Sequence, residues 1–218
     1  MLINPYRYAQ PVHGTPALAT PFASSALATV TTADFTPTWN DLLLAFGGGR
    51  ASVAVSDGTC VDSLGSTWTP LIFALRDTGA GTRVYSRLFA MAVGASPAAR
   101  NVTWGATGAV KCGLYVVRVP GAGPYLDRIV NVAAFDHGNG DPTPSLITMP
   151  TAGGLVVGGY FAGGTSAITE PSNYTELAEN LAQTDLNTEI VYDDVGAAQS
   201  AAWSTGNAAS VAILAEVL

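Results

Sequence analysis

Carboxylates are the only reactive side chains that this sequence gathers in number. Glu170, Glu176, Glu179, Asp185, Glu189, Asp193 and Asp194 fall within one stretch of 25 residues. Paired carboxylates can hydrolyse a glycosidic bond, one as acid and the other as nucleophile or base. That chemistry needs two of them across a common cleft, and the spacing puts no particular pair there. No Lys or Arg stands nearby, so a solvated acidic face is the plainer expectation. Adjacent Asp193 and Asp194 would project to opposite sides of a strand, which argues against a joint role.

A second group, Asp136, His137, Asn139 and Asp141, sits in Phe135-Asp136-His137-Gly138-Asn139-Gly140-Asp141-Pro142. Gly, Asn and Asp in that density make a turn. Weak calcium binding through Asp136, Asn139 and Asp141 is conceivable, but the closing Glu of an EF-hand loop is missing. A plain surface loop is expected. The other histidine, His13, lies in a proline-punctuated segment where nothing would hold a catalytic geometry. GxSxG, HExxH and Walker motifs are absent. Gly47-Gly48-Gly49 leads into strand-like Arg50-Ala51-Ser52-Val53, whereas phosphate binding needs a helix N-terminus there. Cys60 and Cys112 are too few for a disulfide framework. Cys112 reads as buried in a strand and Cys60 as lying in a loop, both as thiols. Trp39, Trp68, Trp104 and Trp203 can pack a core or stack on sugars, and core packing is expected of most. These residues yield no catalytic, cofactor-binding or metal site. The expectation is a non-enzymatic protein with no cofactor.

The elements that would hold such residues are strands. Charged residues are only 11% of the chain and hydrophobic ones 48%, against about 25% charged in ordinary soluble domains. Small neutral residues must therefore cover the surface. Such a surface suits a subunit packed against neighbours. The apolar runs, such as Leu42–Phe46 and Leu114–Val117, fall far short of the roughly 20 residues of a membrane span. Asn4, Pro5, Arg7 and Gln10 interrupt the apolar stretch that a signal peptide would need, so synthesis in a cytoplasm is expected. Residues 1–128 hold all nine Lys and Arg with six acids, net +3; residues 129–218 hold ten acids, net −10. The acidic half argues against nucleic acid as a partner. Opposite halves favour packing of unlike surfaces.

Residues 1–37 read as an extended arm, punctuated by Pro5, Pro11, Pro16, Pro21 and Pro37, each of which removes a backbone donor. From there short apolar or alternating runs recur between Gly and Pro turns, the pattern of a β-sandwich. They include Leu42–Phe46, Ala51–Val55, Thr82–Val93, Asn101–Trp104 and Lys111–Val119. Thr175–Thr184 reads as a short turn or strand. The runs also repeat in order. Leu42–Phe46 is echoed by Leu155–Phe161, Trp68-Thr69-Pro70-Leu71 by Tyr174-Thr175-Glu176-Leu177, and Val84-Tyr85 by Val191-Tyr192. Asn101–Trp104 is echoed by Ser200–Trp203, and Leu114–Val119 by Ile213–Leu218. Two sandwiches in tandem, or the two halves of one jelly roll, would both give this pattern. A half of about 75 residues is marginal alone. The fold expected is therefore all-β: a jelly-roll-like antiparallel β-sandwich over 38–218, built from halves at about 38–120 and 144–218, with an extended N-terminal arm at 1–37.

Several of these segments carry a family likeness. They are Asp41-Leu42-Leu43-Leu44-Ala45, Trp68-Thr69-Pro70-Leu71, Leu114-Tyr115-Val116-Val117-Arg118-Val119-Pro120-Gly121, Pro144-Ser145-Leu146 and Gly153-Gly154-Leu155-Val156-Val157. Tyr174-Thr175-Glu176-Leu177, Ala201-Ala202-Trp203-Ser204 and the apolar last strand follow. With the opening Ile3-Asn4-Pro5-Tyr6-Arg7-Tyr8, the pattern resembles tailed-bacteriophage virion proteins, β-sandwich modules found in heads, tails and fibres. The resemblance brings no fixed catalytic residues. It implies a virion location and a capsid decoration protein that binds the head surface through its arm. The partners expected are the major capsid protein or other virion proteins and neighbouring copies, with no nucleic acid and no membrane. The alternative is a tail or fibre module that binds host-surface glycans through exposed aromatics.

Overall fold

A computed structural model describes residues 13–78, 82–123, 126–137, 143–146, 148, 150–164, 166–181, 185–196, 198–205 and 209–218. In the first half the strands are β1 (Ala17–Leu18), β2 (Ala23–Ser25), β3 (Thr29–Thr31), β4 (Leu42–Ala51), β5 (Thr59–Asp62), β6 (Thr69–Asp77), β7 (Arg83–Ala92), β8 (Val102–Gly105) and β9 (Ala109–Val119). A 3-10 turn at Leu126–Arg128 leads into the second half. There the strands are β10 (Ile129–His137), β11 (Leu155–Gly163), β12 (Ile168–Thr169), β13 (Thr175–Asn180), β14 (Asn187–Asp193), β15 (Ser204–Thr205) and β16 (Ala209–Val217). All the pairings between these strands are antiparallel. Among the described residues no helix is long and apolar enough to cross a membrane.

Two large sheets face each other, and each is assembled within one half. The first runs β1-β9-β4-β7-β6, with β2 also on β9; the second runs β10-β16-β11-β14-β13. Each carries a small sheet on its outer face, β3-β8-β5 in the first half and β12-β15 in the second. The chain is thus a stack of four layers: small, large, large, small. The β-sandwich expectation holds, with each half contributing one large sheet and one small one. In the first half the chain passes between the small and the large sheet at β3, β4, β5, β6, β8 and β9, and β6–β7 and β13–β14 are the chain-adjacent pairs within the large sheets. β10 falls in the gap between the expected halves, 38–120 and 144–218, and completes the second large sheet.

Three apolar layers fill the spaces between the sheets. On β4, Leu42, Leu44 and Phe46 point to the other large sheet, and Leu43 and Ala45 point to the small one. On β11, Leu155, Val157 and Phe161 face the first half, and Val156, Tyr160 and Ala162 face outward. Strands buried on both faces read as unbroken apolar runs, which is why Leu42–Phe46 does not alternate. Each fully buried Leu, Val, Ile or Phe contributes about 1.5–3 kcal/mol. The ion pairs across the seam, Arg50–Asp185 at 3.1 Å and Lys111–Asp185 at 3.4 Å, are partly exposed and worth roughly 0–1 kcal/mol each. Apolar burial therefore joins the halves, and charge adds a small bias of the sign that the basic first half and acidic second half imply.

Two turns, one before the central strand of each large sheet, share one local geometry. Asp41 N donates to Thr38 O and Gly154 N to Thr151 O, in two matching turns 113 residues apart. The third residue of each has positive φ, 68° at Asn40 and 80° at Gly153, a conformation that Asn and Gly tolerate best. Both turns lead into the central strand of a large sheet.

The described part of the expected 1–37 arm, residues 13–37, is extended but not free. β1 and β2 pair with β9, β3 pairs with β8, and Phe35 bridges Arg100. Gly14 N donates to Pro120 O, and His13 Nε2 lies 3.1 Å from Gly153 O in the second half. The arm therefore caps sheet edges, which otherwise present unpaired backbone.

Candidate functional site

The acid-rich stretch is split by the fold. Glu170 follows β12, Glu176 and Glu179 lie on β13, and Glu189 lies on β14 with its side chain on the outward face that holds Trp203 and Tyr160. β13 is the edge strand beside β14, offset by a bulge between Glu176 and Ala178. Carboxylate oxygens of Glu170, Glu176 and Glu189 consequently lie within 4.8 Å of one another. Glu170 and Glu176 are exposed, while Glu189 is 1% exposed.

Glu189 owes its position to two aromatic rings. Trp203 and Tyr160 stack at 5.7 Å with planes 19° apart. Trp203 Nε1–H donates to Glu189 Oε2 at 2.5 Å. Burial pushes the Glu189 carboxyl up to about 8, opposed by the Trp203 hydrogen bond and reinforced by Glu176, Glu179 and Glu170. The ordinary value is 4.5, so at neutral pH the protonated form of Glu189 predominates, buried beside Trp203 and the neighbouring carboxyls. Glu179 is also raised, by burial first and then by Glu176, with Glu170 contributing. Three oxygens so close can share protons or hold one hard cation. Of the three, Glu170 and Glu176 face solvent and Glu189 lies beneath them.

The other acids serve the fold. Asp185 takes Arg50 and Lys111 across the seam. Asp193, the last residue of β14, is buried and accepts Val195 N at 3.0 Å and Ala198 N at 2.9 Å, while Asp194, in the bend that follows, is exposed. In the first half, Asp62 makes a comparable staple. It accepts Leu64 N, Ser66 N and Trp68 Nε1 and pairs with Arg100 at 3.0 Å, both charges buried. Burial would raise Asp62, but the hydrogen bonds from Ser66 and Leu64 and the charge of Arg100 outweigh it and hold it below its usual range. Sequence reading missed this pair because Asp62 and Arg100 are 38 residues apart and each looks like a loop charge.

The remaining candidates resolve one by one. Trp104 and Trp203 are fully buried, Trp68 and Tyr174 nearly so, and Trp39 is 57% exposed. Cys112 is buried in β9. Cys60 is buried as well, in β5 rather than in a loop, because the inward side of that short strand faces Trp104; both are free thiols. Gly47–Gly49 lie inside β4, which continues to Ala51, and the strand expected at Ala51–Val55 does not form beyond Ala51. Thr175–Asn180 is strand β13. The side chains of Asp136, His137, Asn139 and Asp141 lie outside the described residues.

A different surface emerges on the outer face of β3-β8-β5. Thr29, Thr31, Thr59 and Val61 are exposed and Thr103 is half-buried. The Thr31 and Thr103 hydroxyls are 2.8 Å apart and hydrogen-bonded. Exposed Leu27 and Leu64 lie at the ends of the segments that form this face. None of these positions carries charge. Short strands and scattered threonines hid this face from sequence reading; the Thr-Val-Thr at residues 29–31 is its one legible trace.

Compared with protein-family models, with curated proteins and with solved structures, the chain matches none of the three. The all-β four-layer fold and these surfaces are therefore the ground for a functional reading.

Proposed function

We propose that this protein is a non-enzymatic structural subunit of a tailed-phage virion, a capsid decoration protein that binds the head surface. The single observation that carries the reading is the uncharged, Thr-rich outer face of β3-β8-β5 with exposed Leu27, Val61 and Leu64 around it. Exposed apolar side chains on a low-charge surface mark a contact face. The arm supplies Leu27, Thr29 and Thr31 to it, so capsid binding through the arm and through this face are one mechanism. The sequence resemblance to virion β-sandwich modules supports the same assignment. Partners are the major capsid protein or other virion proteins and neighbouring copies.

Deleting the whole arm would also remove β1, β2 and β3, so the test uses point changes. Leu27→Asp, Thr29→Asp and Val61→Asp put charge on exposed positions and should leave the melting temperature within a few degrees of the native one. Co-sedimentation with particles that lack the protein should fall by roughly tenfold or more per buried charge. Undiminished co-sedimentation of all three variants would overturn the reading.

A second reading, a tail or fibre module that binds host-surface glycans, is favoured by one observation: Trp39 is 57% exposed at the tip of the turn before β4, and an exposed indole can stack on a sugar ring. It predicts oligosaccharide binding that Trp39→Ala abolishes.

A further inference from the structure

The two large sheets meet through residues that the repeat makes equivalent. The matching turns at Thr38–Asp41 and Thr151–Gly154 set the shift at 113 residues. On that shift Leu42 matches Leu155, Phe46 matches Gly159, and Gly48 matches Phe161. The contacts obey the same rule. A side chain on Gly159 would run into the ring of Phe46, and one on Gly48 into the ring of Phe161. Each phenylalanine therefore lies on the glycine that replaces it in the other half. Contacts between equivalent positions lie on a two-fold axis, here a pseudo-axis that runs along the strands between β4 and β11. The flanking strands agree: β6 packs on β10 and β7 on β16, and Tyr115 on β9 reaches Thr188 on β14.

We infer that these two Phe–Gly pairs form a pairing code, which makes the inner face of each large sheet fit the opposite half and reject a copy of itself. The first half carries Phe then Gly, the second Gly then Phe. Two first halves placed face to face would set Phe46 on Phe46 and Gly48 on Gly48, overpacking one layer and leaving a void beside it. Both faults destabilise a close-packed interior. The partner of each face is thus the other half, and a second copy of the chain can offer only that same unlike half.

A code of this kind can be inverted, which a merely local packing arrangement cannot. In the full chain, Phe46→Gly with Gly48→Phe gives both halves the same code. The melting temperature should fall by roughly 10 °C or more. Adding Gly159→Phe and Phe161→Gly inverts the code completely. The fourfold variant should melt above the twofold one, with the native strand content by circular dichroism. A fourfold variant that melts no higher than the twofold one would overturn the inference. Where a twofold variant is insoluble, a milder cycle replaces it. Gly159→Ala should lower the melting temperature by several degrees in the native chain and by much less in Phe46→Ala. Equal losses in the two backgrounds would also overturn it.

Discussion

Glu189→Gln should remove most of the alkaline loss of stability. In the folded chain the Glu189 carboxyl titrates at about 8, against an ordinary value of 4.5. The unfolded chain loses that proton near the ordinary value, and the folded chain keeps it. Between those two values the folded state binds the extra proton, so stability declines as pH rises through the window and levels off above its upper end. Each pH unit is worth about 1.4 kcal/mol, so the span from 4.5 to about 8 amounts to a loss of roughly 3–5 kcal/mol. Glutamine cannot ionise, and its amide oxygen can still accept the Trp203 N–H. Glu189→Gln should match the native chain near pH 5 and exceed it by roughly 3–5 kcal/mol near pH 9. Urea unfolding followed by circular dichroism across that range measures the difference. Glu179, raised in the same direction by burial and by Glu176, leaves a smaller residual slope in both proteins. Parallel stability profiles for the native chain and Glu189→Gln would refute the reasoning.

Asp62→Ala should cost about 3–5 kcal/mol in urea unfolding, because it strands buried Arg100. In the native chain, the stability that Asp62 supplies should be lost as pH falls from its ordinary value toward its lowered folded value, a loss missing in Asp62→Ala. Tyr115→Phe should cost about 1 kcal/mol by removing the hydroxyl that reaches Thr188 across the seam, measured by the same unfolding curves. Iodide should quench only the fluorescence fraction that Trp39→Phe removes, since Trp68, Trp104 and Trp203 are buried.

The landmarks from which a repeat was read are large and buried. Trp104 and Trp203 are fully buried at matching places in the outer layers, and Leu42 and Leu155 both open a central strand. The way the halves join was not legible. Alternation tells which residues share a face of a strand, but not which sheet covers that face, and β4 is covered on both. The arm misled for a related reason. Prolines correctly signal an extended chain, yet its strands of two or three residues pair with β8 and β9, and no local pattern names such distant partners. For Glu189 the sequence did hold a signal: an acid inside the strand-like run Thr188-Glu189-Ile190-Val191-Tyr192, where a solvated face offers no reason for β-branched neighbours. The Phe–Gly pairs carried none until the 113-residue shift was fixed by the turns.

The central claim is that this chain is a structural part of a virion. Quantitative mass spectrometry of purified particles, with the major capsid protein as internal reference, tests it most directly. The account predicts a copy number on the scale of the major capsid protein. Absence of the chain from particles would contradict it.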